Sequence, residues 1–163
     1  MMTATLTAEE ENRYAELQAM ALDAARKGDT EMLRPMLDAG LPIGLSDEKG
    51  NSLLMLATYH GNAETARLLL EQGADPDQRN DRHQTPLAGV AFKGYPDLAK
   101  LLVEHGADAA ADQGGGRRPI DFAALFGHTE IVRYLESVSA SHKRRRLVFL
   151  SRTSRLIRKM IRR

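Results

Sequence analysis

The sequence lacks several features on which whole classes of protein depend. None of its 163 residues is cysteine, which excludes disulfide bonds, thiolate metal sites and cysteine nucleophiles. No segment approaches the roughly 20 apolar residues that a membrane-spanning helix requires. The N-terminal residues MMTATLTAEEE lack the basic and apolar regions of a secretory signal. We therefore expect a soluble, cytoplasmic protein.

Aromatic residues and, in one region, acidic residues are also scarce. The chain has four Tyr, four Phe and no Trp, although 42% of its residues are hydrophobic, which is enough for a core. From His142 to Arg163 there are ten Lys and Arg and no Asp or Glu. The remainder carries thirteen Lys and Arg against twenty-two Asp and Glu, a balance of −9. An acidic body with a basic tail is typical of a protein with an interaction segment.

Glycine recurs in this sequence at a constant interval. One series comprises Gly28, Gly61, Gly94 and Gly127, and a second, with the same step, comprises Gly40, Gly73 and Gly106. The segments between the two series have apolar residues at helical spacing, and each begins with a predicted cap residue: Asp29, Asn62, Tyr95 or His128. Gly73 and Gly106 are placed to end their helices in a left-handed conformation.

A shorter helix is predicted before each glycine of the first series. In TPLAGVAFK, Thr85 is the predicted cap, and Pro86 lies in the first turn, where a missing N–H has no cost. The unit is therefore helix, tight turn, helix and polar loop. Such a unit, repeated with a period of about 33 residues, indicates a stacked solenoid.

Four short segments in this register resemble ankyrin repeats: HQTPL at 83–87, LLLEQGADPD at 68–77, LLVEHGAD at 101–108 and GHTEIVRYL at 127–135. The resemblance covers about residues 15–138 and implies an all-α ankyrin-repeat solenoid of about four 33-residue units. The predicted repeats are roughly 15–47, 48–80, 81–113 and 114–138, within a domain over 7–138. We expect a flexible N-terminus at 1–6 and a basic amphipathic tail at 139–163.

The ends of the array differ from its middle. Thr7 and Glu10 have capping-box spacing, and the apolar stripe from Tyr14 through Leu17, Ala21 and Leu22 predicts a lengthened first helix that covers the open end. Pro35 lies inside the first outer helix, where it should cost about 3 kcal/mol unless the helix bends. We expect the edges of the array to be its weakest parts.

Some residues depart from the family pattern. The histidine that follows Thr-Pro-Leu in the family is replaced by Met55, Ala88 and Asp121, so we expect its inter-repeat hydrogen bonds to be absent. Arg118 stands where a threonine would cap the fourth inner helix.

Patterns for catalysis or metal binding are incomplete. DPDQRND at 75–81 lacks the glycine and the glutamate of a calcium loop, and GGGRR at 114–118 lacks the Gly-Lys-Ser/Thr of a phosphate loop. The histidines lie at different phases of the repeat, and no Ser, His and acidic residue form a plausible nucleophile setting. His128 occupies a position at which the family commonly has a structural histidine. We predict no enzymatic activity, no cofactor, no metal and no small-molecule substrate.

The resemblance also implies a binding surface, because the two residues before each inter-helix glycine face a concave groove in the family and loop tips line its rim. The groove positions are Tyr59, His60, Phe92, Lys93, Leu125 and Phe126, and the rim positions are Glu48, Lys49, Asn51, Asp81, Arg82, Gln84, Gly114, Gly115 and Arg117. Three of the eight aromatic residues fall on this stripe, and interface hot spots favour aromatic residues. We predict binding of a protein partner; the open alternative is that the first helix or the tail covers the stripe.

The tail separates into two faces if it is helical from Phe149. The apolar face holds Phe149, Leu150, Thr153, Leu156, Ile157, Met160 and Ile161, and the basic face holds Arg152, Arg155, Arg158, Lys159, Arg162 and Arg163. This predicts a basic amphipathic helix. It could cap the last repeat, or bind an anionic membrane or a partner's groove. Binding to nucleic acid phosphates is less favoured, because no aromatic residues interleave the cations. The second hypothesis is therefore an adaptor recruited to an anionic surface by its tail.

Overall fold

The computed structural model describes residues 7–141. Over this range the chain forms eight helices: α1 (Ala8–Lys27), α2 (Thr30–Asp38), α3 (Leu53–Tyr59), α4 (Ala63–Glu71), α5 (Pro86–Lys93), α6 (Pro96–Glu104), α7 (Pro119–Leu125) and α8 over 129–141. These residues contain no strand, and their one isolated β-bridge joins Ser46 to Ser52. The predicted all-α architecture of helix-turn-helix units is confirmed. The predicted N-terminal segment 1–6 and the tail from 142 onward lie outside the described residues.

The helices form two layers. The inner helices α1, α3, α5 and α7 pack side by side in chain order, and the outer helices α2, α4 and α6 pack behind them in the same order. Ala24, Ala57, Val90 and Ala123 occupy equivalent positions of the four inner helices, and all are buried. These small residues let neighbouring inner helices approach closely, while leucines such as Leu69 and Leu102 fill the space between the layers.

The inner helices begin with side-chain caps. The hydroxyl groups of Ser52 and Thr85 accept hydrogen bonds from the backbone N–H groups of Met55 and Ala88. Arg118, at the equivalent position of the fourth repeat, cannot accept such a bond. There the roles exchange, because the Asp121 carboxylate accepts a 2.7 Å hydrogen bond from the Arg118 N–H. This backbone hydrogen bond lowers the pKa of Asp121 below its ordinary value.

Three glycines of the first series, Gly28, Gly61 and Gly94, are needed for space as well as for backbone conformation. Gly94 has φ +81, and a Cβ atom placed on it would lie 2.5 Å from the His128 ring in the next repeat. A Cβ atom placed on Gly28 would likewise lie 2.8 Å from the side chain of Asn62. The predicted left-handed conformation at Gly73 is confirmed, with φ +89, but no atom would contact a Cβ there.

The predicted caps of the outer helices are only partly correct. Asp29 caps α2, accepting a 3.0 Å hydrogen bond from the Met32 N–H, but the side chain of Asn62 does not cap α4. Its amide instead donates to the carbonyl groups of Ala25 and Arg26, at 3.1 and 2.8 Å. Those carbonyls lie at the end of α1, where no intrahelical donor is available. Asn62 therefore joins two repeats.

The side chain of Tyr95 does not cap α6 either. It packs over Gly61, whose Cβ would lie 3.2 Å from the Tyr95 ring. His128 extends the pattern, since its Nε2 lies 3.0 Å from the carbonyl oxygen of Phe92. In the second, third and fourth repeats, the residue that follows the inter-helix glycine therefore contacts the preceding repeat, and the expected structural role of His128 is confirmed.

Side-chain hydrogen bonds between distant segments form without the family histidine. Within the third repeat, Gln113, buried at 7% exposure, accepts bonds from the N–H and hydroxyl of Thr85, at 2.8 and 3.3 Å. The hydroxyl groups of Thr30 and Thr65 lie 2.8 Å apart between the first two outer helices. Met55 and Ala88 are buried and make no such side-chain bond. A different set of residues therefore joins the repeats.

The lengthened first helix is confirmed, and so is the capping box of Thr7 and Glu10. The apolar stripe of α1 covers the open end of the array only in part, because Tyr14 and Leu17 are each 43% exposed and the first buried residue of the helix is Ala21. The reason is the length of α1, which has 20 residues against seven in α3. Since each helical residue adds about 1.5 Å, the first half of α1 extends beyond its neighbours.

The predictions for Pro35 and for the end of the fourth repeat can also be compared with the structure. Pro35 lies inside α2, as expected, and the helix continues around it to Asp38. Helix α8 runs over 129–141 and so continues past the predicted end of the fourth repeat at 138. The assigned start of the tail at 139 therefore falls within a helix of the repeat domain.

Candidate functional site: the concave groove

The inner helices end on the same side of the array and bring three aromatic rings into a row. Tyr59 and Phe92 stack at a centroid separation of 6.5 Å with planes 9° apart. Phe92 and Phe126 meet edge to face at 4.5 Å and 69°. All three remain exposed, at 40%, 39% and 49%. This aromatic row, Tyr59–Phe92–Phe126, is a continuous apolar surface across three repeats.

Two basic side chains lie against the aromatic row. Lys93 places its Nζ 5.1 Å from the centroid of the Tyr59 ring, and His60 meets the same ring edge-on at 5.7 Å. A cation over an exposed aromatic face contributes about 0.5–1 kcal/mol. The contact therefore holds the Lys93 ammonium group close to the row.

A groove of about 910 Å³ lies beside Tyr59. Eight predicted residues line it: Glu48, Lys49, Asn51, Tyr59, His60, Asp81, Arg82 and Gln84. Phe92 and Lys93 do not line the groove but contact Tyr59 at its edge. Phe126 continues the row from Phe92. Leu125, at 76% exposure, and Arg117 belong to the fourth repeat and lie outside the groove.

Three loops, which we call fingers 1, 2 and 3 (46–51, 79–84 and 112–117), join the repeats. In finger 1 the Asp47 carboxylate accepts hydrogen bonds from the N–H groups of Lys49 and Asn51, at 3.0 and 2.9 Å, and pairs with Arg26 at 3.1 Å. Burial acts to raise the pKa of Asp47, but hydrogen bonds from Asn51, Lys49 and Arg26 hold it below its ordinary value. Asp47 therefore stays ionised at neutral pH and keeps finger 1 folded.

Finger 2 repeats this design and is tied to finger 1. The Asn80 side-chain oxygen accepts from the N–H groups of Arg82 and Gln84, both at 3.0 Å. The Asn80 amide donates to Asn51 at 3.0 Å, and the N–H of Asp81 donates to the carbonyl of Lys49 at 3.1 Å. The rim on this side of the groove is therefore held in place by hydrogen bonds between the two fingers.

Finger 3 is built differently. Gln113 occupies the position of Asp47 and Asn80, but its side chain turns inward to Thr85. The turn is formed instead around Asp112, whose carboxylate accepts hydrogen bonds from the N–H groups of Gly114 and Gly116, at 2.8 and 3.0 Å. Gly114, Gly115 and Arg117, predicted for the rim, are exposed in this loop.

Sequence reasoning missed part of the groove wall. Arg26 lines the groove and stands one repeat before Tyr59, so the glycine register that found Tyr59 also pointed to it. Ala15, Gln18, Ala19 and Leu22 of α1 line the same wall. No periodic signal indicated Ala15, Gln18 and Ala19, because the extra turns of α1 have no counterpart in the other repeats.

No group of three or more His, Asp or Glu side chains within residues 7–141 could hold a metal ion. No helix in this range is long and apolar enough to cross a membrane.

Comparison with known proteins agrees with this architecture. A sequence profile for ankyrin repeats (three copies) matches residues 21–113 and, in a second alignment, 72–145. The match begins at Ala21, the residue at which α1 becomes buried. A protein of Pseudomonas aeruginosa, whose name describes it as an ankyrin repeat protein, is 53% identical over 38 residues. That similarity covers 23% of this chain and 22% of the Pseudomonas protein.

Proposed function

Because this chain belongs to the ankyrin repeat family, whose repeats generally bind protein partners, we propose that it is a non-enzymatic module that binds a protein through its concave groove and fingers. The exposed aromatic row carries this proposal. Phe92 stacks on Tyr59 and meets Phe126 edge to face, yet each of the three side chains keeps about 40–50% of its surface exposed. Aromatic side chains on a rigid surface are frequent hot spots of protein interfaces.

The rim supports the same interpretation. Fingers 1 and 2 are hydrogen-bonded internally and to each other through Asn80 and Asn51. A preordered rim lowers the entropy lost on binding, so more of the contact energy appears as affinity. Glu48, Lys49 and Arg82 also lie on this rim. In the described part of the chain, their side chains make no hydrogen bond or ion pair that stabilises the fold.

The placement of the histidines supports a role without catalysis. His128 contacts the backbone of Phe92, and His105 Nδ1 lies 2.9 Å from the carbonyl of Leu101. His83 has φ +59 in finger 2, while His60 lies against Tyr59. The proposal also includes the absence of a cofactor, of a small-molecule substrate and of catalysis, and a cytoplasmic location.

The test compares Phe92→Ala with Met32→Ala in the full chain. Met32 is a matched control, since it lies on the outer helix α2 and is 40% exposed against 39% for Phe92. A partner is first captured from lysate with the parent chain, identified and purified, and its affinity is then measured for each variant. We expect Phe92→Ala to weaken binding by about 2 kcal/mol and Met32→Ala to leave it unchanged. Equal affinity for parent and Phe92→Ala would contradict the groove as the binding surface.

A second candidate function is an adaptor whose tail recruits the repeat domain to an anionic membrane surface or nucleic acid. Its specific observation is the run of ten Lys and Arg without an acid between His142 and Arg163, which lies outside the described residues. Near an anionic bilayer each of these cations contributes about 1 kcal/mol.

The tail hypothesis is tested on vesicles with and without anionic lipid. The full chain is compared with a variant in which Arg152, Arg155, Arg158, Lys159, Arg162 and Arg163 are replaced by Gln. We expect binding to anionic vesicles that salt weakens and that the variant loses. If vesicle binding does not depend on salt and truncation of the chain to residues 1–140 mainly lowers the melting temperature, the tail caps the last repeat.

A further inference from the structure

The last repeat has an apolar face that nothing covers among residues 7–141. Ala124 of α7 is exposed, whereas Thr58 and Ala91, at the equivalent positions of α3 and α5, are completely buried. Leu125 is 76% exposed, against 40% and 39% for the residues at its position in α3 and α5. The reason is that α3 and α5 each lie between two inner helices, whereas α7 has an inner helix on one side alone in this range.

The inter-helix glycines show the same difference. Side chains of the following repeat lie against Gly28, Gly61 and Gly94, whereas no atom of the described residues would come within 4 Å of a Cβ on Gly127. An open pocket of about 330 Å³ lies at this glycine and is lined by Ala124, Gly127, Thr129, Val132 and Arg133. We call the surface formed by Ala124, Leu125, Gly127 and Val132 the end face.

The chain continues from this end of the array. Helix α8 ends at residue 141, so the 22 residues from 142 to 163 follow it directly. In the array, the 14 residues 72–85 connect α4 to the next inner helix, and the 14 residues 105–118 connect α6 to the one after it. Helix α5 itself has eight residues. The tail is therefore long enough to supply one such connection and one inner helix.

The apolar residues of the tail fit the buried positions of an inner helix. Leu87, Val90 and Ala91 are completely buried in α5. Two repeat lengths of 33 residues further along the chain, the corresponding residues are Thr153, Leu156 and Ile157. All three belong to the apolar face of the predicted tail helix. A helix in this register therefore turns its apolar face toward α7.

The cations of the tail fit the exposed positions of the same helix. Phe92 and Lys93 are exposed in α5, and the corresponding residues are Arg158 and Lys159. Ser151 corresponds to Thr85, the cap of α5, and a serine is a favourable cap. Arg152 departs from the pattern, because it corresponds to a buried proline in the first turn of α5. A long arginine side chain can extend from a helix end into water.

We infer that the tail packs its apolar face on the end face of the same molecule and forms a fifth inner helix. The inference goes beyond the proposed function, because it does not involve the groove or its partner. Arg133 is the one charged residue in the lining of the end-face pocket, so apolar burial and not charge drives the contact. The cations of the tail remain in water and can still attract an anionic surface. The apolar face, however, cannot pack on the array and enter a bilayer at once.

A spin label tests where the tail lies. Because the chain has no cysteine, the label can be attached to a single introduced one, Arg158→Cys, on the basic face of the tail. We expect it to broaden the amide NMR signals of Ala124, Gly127 and Val132 and to leave that of Gly40 in the first repeat unchanged. Unbroadened signals from the end face would overturn the inference.

A mixed sample separates the chain's own tail from that of a second copy. Spin-labelled chains are added to isotopically labelled chains that carry no spin label, so only contacts between molecules broaden the observed signals. We expect no broadening in this mixture. Broadened signals of the end face would mean that a second copy covers it, and the inference would be wrong.

Melting temperatures test the contact from both of its sides. Leu156→Gln and Ala124→Gln should each lower the melting temperature of the full chain by about 5 °C, because each puts an amide into an apolar contact. Arg158→Gln in the tail and Ala63→Gln, at an exposed position of α4, are the matched controls and should shift it by less than about 2 °C.

The double variant of Leu156 and Ala124 completes the test. Its melting temperature should fall by less than the sum of the two single shifts, since both substitutions disrupt the same contact. Additive shifts would show that the two residues do not meet. They would contradict the inference, and so would a Leu156→Gln variant that melts like Arg158→Gln.

Discussion

Helices α3 and α7 occupy the same position in their repeats and are both seven residues long, yet they differ in burial. In α3 the six residues from Leu53 to Thr58 are buried, whereas in α7 only Pro119 and Ala123 are. The cause is the number of neighbours. Helix α3 packs between α1 and α5, while α7 packs against α5 alone among the inner helices of the described chain. In a stacked array, each repeat is stabilised mainly by its nearest neighbours.

The largest expected effect tests this difference in the core. Leu54 and Ile120 are equivalent positions, two repeats apart, and only Leu54 is fully buried, at 1% exposure. We expect Leu54→Ala to lower the free energy of unfolding by about 4 kcal/mol. Ile120→Ala should cost about 1–2 kcal/mol, because its site is partly exposed. Denaturant titration of both variants checks this, and equal losses would show that α7 is as well packed as α3.

The next test concerns the glycines that end two inner helices. Gly94 and Gly127 have similar φ values, +81 and +73, but only at Gly94 would a Cβ meet another residue, His128. Gly94→Val should therefore cost about 3–4 kcal/mol, from backbone strain and from overpacking. Gly127→Val should cost about 1–2 kcal/mol, from strain alone. Thermal melts compare the two; variants that melt like the parent would contradict the role of the glycine series.

A smaller effect is expected at the hydrogen bonds between finger 3 and the start of α5. Gln113→Ala leaves the buried N–H of Thr85 without its acceptor, which should cost about 2 kcal/mol. Gln78→Ala is the control, because the Gln78 amide bonds to the Gly44 carbonyl near the surface, where water can replace it. Its cost should stay below about 1 kcal/mol. If the two variants unfold at the same denaturant concentration, the bond between Gln113 and Thr85 does not stabilise the fold.

The smallest effect is a pH dependence of stability at two carboxylates, Asp47 in finger 1 and Asp121 at the start of α7. The pKa values of Asp47 and Asp121 are both lowered by folding, from an ordinary value of 3.8. Their contribution to stability is therefore complete above about pH 4 and is lost as the pH falls through the lower folded pKa. We expect Asp47→Asn and Asp121→Asn each to flatten the loss of melting temperature as the pH falls below about 4. If the melting temperature of both variants falls with pH as steeply as that of the parent, the prediction is wrong.

The regular spacing of the glycines was sufficient to predict the fold. Gly61 and Gly94 mark the same turn in successive repeats, and leucines at helical spacing, such as Leu69 and Leu102, mark the buried faces. These signals are local, because backbone conformation and helix periodicity depend on residues close in the chain. The same register places Tyr59, Phe92 and Leu125 at one position, but the aromatic row continues from Phe92 to Phe126, the residue after Leu125. The third ring of the row was therefore decided by the tertiary structure.

Contacts between repeats were decided only by the tertiary structure. Asn62 was predicted to cap α4, but it bonds to the end of α1, and Gln113 turns away from its own finger to reach Thr85. Tyr14 and Leu17 continue an apolar stripe but extend beyond the neighbours that could bury them. A polar side chain has several partners within reach, and the sequence does not rank them. The choice depends on which unpaired backbone group the next repeat brings close, and that is a property of the stacked array.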